Sequence, residues 1–129
     1  MAEDPAASGD GMAYARPDDL TTVRAFVRDR ALTLGLPARR ADLLMLAVSE
    51  LATNTLQHAG GGGRVRIWAE TGRVVCDVED HGAARPFGRG MPPADSVRGR
   101  GLAIVEHVGD DVATSTGPDG TRVRIGLNL

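Results

Sequence analysis

Glu50, Asn54 and His58 stand four residues apart in the stretch Ser49-Glu50-Leu51-Ala52-Thr53-Asn54-Thr55-Leu56-Gln57-His58. On a helix that spacing puts a carboxylate, an amide and an imidazole on one face, about one turn apart. Such groups need partners, which can be protein groups or a metal and a bound phosphate. The same two side chains can instead be satisfied by backbone groups or a neighbouring Arg, as on many unrelated helices. The apolar run Leu43-Leu44-Met45-Leu46-Ala47-Val48 precedes them and predicts a helix buried on every side, where an unpartnered carboxylate is strongly disfavoured.

A second acid stands out by its phase. In Arg73–Asp80 the residues Val74, Cys76 and Val78 alternate as an inward set, and Asp80 falls in step with them at the strand's end. It either caps a turn or accepts hydrogen bonds from a bound group. Gly82 follows and lets the backbone turn close to a ligand. Gly99-Arg100-Gly101-Leu102 passes from a glycine loop into a helix start, whose free N–H groups suit an anion. Thr121 shares its face with Val123, Ile125 and Leu127, and so points to the side expected to hold Asp80.

These groups need elements to position them. Met1–Gly11 is small, acidic and rich in Pro and Gly, and reads as a disordered terminal segment. Residues 12–129 read as one domain, opening with an edge strand at Met12–Ala15. Pro17-Asp18-Asp19 starts a helix in which Leu20, Val23, Val27, Ala31 and Leu34 recur at helical spacing, and Gly35 ends it. Pro37 starts the helix that runs to His58. Gly60–Gly63 reads as a flexible turn, since it follows a helix and leads into a strand, the wrong order for a phosphate loop. Arg64–Glu70, with Val65, Ile67 and Ala69 inward, and Arg73–Asp80, with Arg73, Asp77 and Glu79 outward, form a hairpin about Thr71-Gly72. Residues 83–97 carry Pro86, Pro92 and Pro93 and read as a long loop. A short helix ends near Val108-Gly109, and Asp111–Ser115 with Thr121–Leu127 make the last hairpin. The expected fold is α/β, an α+β two-layer sandwich: a mixed, mainly antiparallel sheet with helices on one face.

Composition excludes several classes. The chain has 129 residues, is 42% hydrophobic and 25% charged, and carries a net charge of −2, as expected of one soluble domain without a nucleic-acid or membrane-surface footprint. All 15 basic residues are Arg. The absence of Lys excludes P-loop phosphate binding, the strand Lys of ordinary protein kinases and Schiff-base chemistry. Cys76 is the single cysteine and reads as a small core residue, so neither an intrachain disulfide nor a Cys-cluster metal site is available. With no leader and no spanning segment, a cytoplasmic protein is expected.

Four pieces in order resemble one family. Glu50-Leu51-Ala52-Thr53-Asn54 with His58 resembles the N box of the GHKL ATPase and kinase superfamily. Asp80-His81-Gly82 is similar to its first glycine box, Gly99-Arg100-Gly101-Leu102 to its second and Gly120-Thr121 to its last. The stretch from Ser49 to Ala59 and the small size resemble most the anti-sigma factor serine/threonine kinases. Two departures stand out: Ala83-Ala84-Arg85 follows the first box, and Ala103 occupies a position where a further Gly is common.

The resemblance implies a Bergerat ATP-binding fold with ATP and Mg²⁺ as cofactors. On it Asp80 would accept the adenine amino group, supported by Thr121, with Gly82 close to the base. Asn54 would be the metal ligand, and Gly99, Gly101 and Leu102 would hold phosphates through N–H groups, with Arg98 or Arg100 supplying charge. Glu50 would be the catalytic base. The implied function is phosphorylation of a small anti-anti-sigma (STAS-like) partner, with a sigma factor as a further partner and a homodimer through the N-terminal segment. Two alternatives stay open: a non-catalytic ATP-binding regulator of anti-sigma type, and an interaction module without nucleotide. No upstream helix carries a phosphoacceptor His, so a sensor histidine kinase is not expected.

Overall fold

The computed structural model describes residues 10–58, 62–80, 107–117 and 120–129. Strand β1 (Asp10–Tyr14) is followed by helices α1 (Asp19–Thr33) and α2 (Ala38–His58). Then come the hairpin of β2 (Gly63–Glu70) and β3 (Arg73–Asp80), and the hairpin of β4 (Asp111–Gly117) and β5 (Gly120–Asn128). The five strands form one sheet in the order β1-β2-β3-β5-β4, and all four ladders are antiparallel. The expected two-layer α+β fold is therefore present, without the parallel ladder that a mixed sheet would add among the described residues. Asp10 and Gly11, expected in the terminal segment, already belong to β1.

Helix α1 begins where the Pro-Asp-Asp sequence predicts. Asp18 makes no side-chain cap, and the work falls to Asp19, whose Oδ2 accepts from the N–H groups of Ala15 at 2.8 Å and Arg16 at 3.1 Å. Those two hydrogen bonds favour the ionised carboxylate and hold its pKa below the ordinary value. At the other end Leu36 N–H bonds back to the Ala31 carbonyl at 3.0 Å and Gly35 N–H to Leu32 at 3.1 Å, a closed helix end. Val23, Val27 and Ala31 form the buried stripe, as their spacing predicts.

One face of the sheet carries the main core. Val65, Ile67, Val74, Cys76, Val78, Val123, Ile125 and Leu127 pack with Ala41, Leu44, Ala47, Val48 and Ala52 of α2 and with the α1 stripe. Cys76 is fully buried, and burial, then the charge of Asp77, pushes its thiol pKa up, as suits a core residue. Helix α2 is not buried all round, however. Leu46 is 48% exposed while Leu44 and Val48 are fully buried, because the sheet supplies cover on one side only. Ala69, expected inward, is exposed near the hairpin end.

The opposite face of the sheet has its own small cluster, Trp68 with Val75. Asp77 is on this face, as its phase predicts, but is only 1% exposed rather than solvated. Its carboxylate is gripped by Arg124 through Nε at 2.7 Å and Nη2 at 2.8 Å, and the same guanidinium stacks 5.1 Å from the Trp68 ring centre. A two-pronged Arg–carboxylate pair against an aromatic ring can be buried because each charge keeps its partner.

Candidate functional site

The site candidates that the structure describes gather at one end of the sheet and on α2. Glu50 and Asn54 lie on α2, both half-buried. The helix is held to α1 just before them: Ser49, 8% exposed, accepts from Arg24 Nη1 at 3.0 Å. Thr53 and Thr55 turn their hydroxyls back onto the carbonyls of Ser49 and Leu51, at 2.7 and 3.0 Å, so both are engaged on the helix itself. No hydrogen bond or ion pair to another described residue engages Glu50.

Asp80 ends β3 on the core-facing side and is half-exposed. Its Oδ1 accepts from the Thr121 N–H at 3.4 Å, a long bond, and no described residue donates to its other oxygen. Gly120 stands against it with φ +126°, and a Cβ there would lie 2.7 Å from Asp80 Oδ1 and run into the Asp80 carbonyl. A glycine at this position is therefore what lets β5 start beside the carboxylate. The Thr121 hydroxyl meets that of Thr116 across the β4–β5 turn at 3.4 Å.

Tyr14 joins these two parts. Its ring is 2% exposed, its hydroxyl donates to the Glu79 carbonyl at 3.3 Å, and the Thr55 side chain, whose own proton goes to the Leu51 carbonyl, is beside it. Burial raises its pKa to about 12; the Thr55 bond opposes this and the charges of Asp80 and Glu79 add to it. Thr55 follows Asn54 and Glu79 precedes Asp80, so one phenol touches the neighbours of both candidates. The sequence reading did not single out Tyr14. The signal available was the only tyrosine of the chain in a strand that returns beside a glycine run.

A second clamp sits at the far end of α2. Arg40 donates to the Asn128 carbonyl at 2.7 Å, to Asp110 Oδ2 at 2.9 Å and to the Val108 carbonyl at 3.4 Å. The hydrogen bond from Arg40, then that from the Asn128 N–H, holds the Asp110 carboxyl below the ordinary carboxylate value. Arg40 thus fastens the helical residues 107–108 to α2 and β5. Gly82, Arg98, Gly99, Arg100, Gly101 and Leu102, the remaining sequence candidates, lie outside the described residues.

Residues 13–127 match the family described as the histidine kinase-like ATPase domain, and the chain belongs to that family. Among solved structures, the Erythrobacter litoralis EL346 blue-light activated histidine kinase is similar at 30% identity and a TM-score of 0.57. That match covers 73% of this chain and 32% of the other. The histidine kinase domain of the same protein aligns with a TM-score of 0.59 at 24% identity, over 87% of this chain and 60% of that one, and shows the shared fold. The chain thus spans about a third of the longer relative. No curated protein matches it. Family membership implies ATP binding and a GHKL-type kinase-like domain. Among the described residues no helix is long and apolar enough to cross a membrane, and no group of three or more His, Cys, Asp or Glu could hold a metal ion.

Proposed function

We propose that the chain is an ATP-dependent regulatory protein kinase of the anti-sigma factor type, which phosphorylates a Ser or Thr of a small anti-anti-sigma partner. A sigma factor is the second partner in this reading. The observation that carries it is Asp80, an acid at a strand end on the core side, backed by Gly120 and Thr121, with an oxygen that no described residue satisfies. Such a group is suited to accept from the exocyclic amino group of adenine. Asn54 on α2 would give an amide oxygen to Mg²⁺, which would supply charge neutralisation for the phosphates. A single protein oxygen fits an ion that retains several waters and takes further ligands from phosphate, and the described residues contain no richer acidic cage.

Glu50 then acts as base. Half-buried and unengaged among the described residues, it takes the proton of the partner's hydroxyl as that oxygen bonds the γ-phosphorus and the bond to the β-phosphate oxygen breaks, releasing ADP. Most of the catalysis in this scheme is positioning, which α2 supplies by carrying Glu50 and Asn54 one turn apart. The similarity to a histidine kinase supports a second reading, in which the acceptor is a histidine nitrogen. Incubation of the protein with Mg²⁺, labelled ATP and small STAS-like candidate partners tests both. An acid-stable phosphoester on the partner is the expected product; an acid-labile phosphoramidate would favour the histidine acceptor. ATP binding without transfer to any partner would leave a non-catalytic regulator.

A further inference from the structure

Tyr14, Gly63 and Asp80 occupy one row of the sheet: Tyr14 pairs with Gly63 across β1–β2, and Gly63 with Asp80 across β2–β3. Residues paired across antiparallel strands point to the same face, so the Tyr14 side chain starts on the side of Asp80 with only a glycine between. The ring uses that bare tile. A Cβ on Gly63 would run into the Glu79 carbonyl and lie 2.6 Å from the Tyr14 hydroxyl and 2.9 Å from Cζ, so any side chain there would break up the contact between the phenol and that carbonyl. Gly62-Gly63, which reads in sequence as a flexible turn, is instead a cleared berth.

From this berth the hydroxyl reaches the Glu79 carbonyl and the Thr55 hydroxyl. The hydrogen bond to Glu79 fixes the backbone immediately before Asp80, and the neighbouring Thr55 brings α2 against the same phenol one residue after Asn54. Tyr14 is otherwise an unusual choice for a core wall, since a buried hydroxyl has to find partners and Phe would not. We propose that Tyr14 is a positioning residue that sets the end of β3 against the end of α2, and so determines how well Asp80 reads the adenine amino group. The inference rests on the nucleotide-binding reading of Asp80 given above.

The test compares ATP with inosine triphosphate, which lacks the amino group, in wild type and Tyr14→Phe. Loss of one net hydrogen bond in the positioning shell is expected to lower the preference for ATP by about three- to tenfold. Binding of tripolyphosphate, which has no base, should stay unchanged. A Tyr14 that served the core alone would lower the unfolding midpoint and leave the preference for ATP intact, which would overturn the inference. Should Tyr14→Phe not fold, Thr55→Val changes the side chain beside the phenol and is expected to move the preference in the same direction, with no movement overturning the inference. Failure of wild type to bind ATP would sink the nucleotide reading itself. Wild-type binding with an unaltered preference in the variants would sink only the role of Tyr14.

Discussion

Asp80 and Gly120 are in contact so close that no side chain fits between them: a Cβ on Gly120 would come to 2.7 Å from the Asp80 Oδ1 and into the Asp80 carbonyl. The glycine also has φ +126°, a conformation that residues with a Cβ rarely adopt. Two neighbouring strands therefore contribute glycines beside one acid, Gly63 from β2 and Gly120 from β5. Tyr14, Gly63 and Asp80 thus share one row of the sheet, with the ring of Tyr14 over the glycine.

Gly120→Ala follows directly from that geometry. The substitution should cost about 1–3 kcal/mol through backbone strain and displacement of β3. It should also weaken ATP more than it weakens tripolyphosphate, because the carboxylate moves while the phosphate contacts do not. Urea denaturation and calorimetric titration of both ligands check the two parts separately.

The sole tyrosine offers a clean pH measurement. Burial raises the Tyr14 pKa from 10.0 to about 12, so folding favours the neutral phenol. Its contribution to stability is complete below the ordinary value and is lost as pH rises through the raised one. The buried Cys76 thiol, also raised, adds to the same alkaline loss. Phenolate absorbance followed together with Trp68 fluorescence should show only about one-tenth tyrosinate in the folded protein at about one pH unit below the raised pKa. Ionisation at the ordinary tyrosine value with Trp68 still in its native environment would contradict the buried placement.

Much of this architecture could be read in the sequence. Helical spacing at Val23, Val27 and Ala31 reported a single buried face, and strand alternation at Val74, Cys76 and Val78 reported one of the two faces on which β3 is buried. Local pattern also placed the turns at Thr71-Gly72 and before Gly120. What escaped was set by residues distant along the chain. Asp77 reads as an exposed polar residue until Arg124, its cross-strand partner on β5, closes over it with Trp68. Leu46 belongs to an unbroken apolar run, yet the number of layers around α2, which no local pattern reports, leaves it exposed. Tyr14 acquires its place only when β1 pairs with β2 and Gly63 clears a path to Glu79.

Glu50 separates the kinase from a nucleotide-binding regulator. Glu50→Gln retains size and hydrogen bonding and removes basicity, so single-turnover phosphotransfer should fall by about 10²–10⁴-fold while ATP affinity holds. A structural Glu50 would instead show a lowered melting temperature with transfer intact. Asn54→Ala differs in kind: it should weaken Mg²⁺-dependent binding and transfer together.

The central claim is that adenine is read by Asp80, and calorimetric titration of ATP into wild type and Asp80→Asn, each with Mg²⁺, tests it most directly. On this reading the carboxylate accepts from the amino group, whereas an amide can turn a donor toward it, leaving two donors opposed. Wild type is expected to bind ATP, and Asp80→Asn, still folded by its Trp68 fluorescence, to lose at least about tenfold in affinity together with most of the preference for ATP over GTP. Equal ATP affinity in the two proteins would contradict the account.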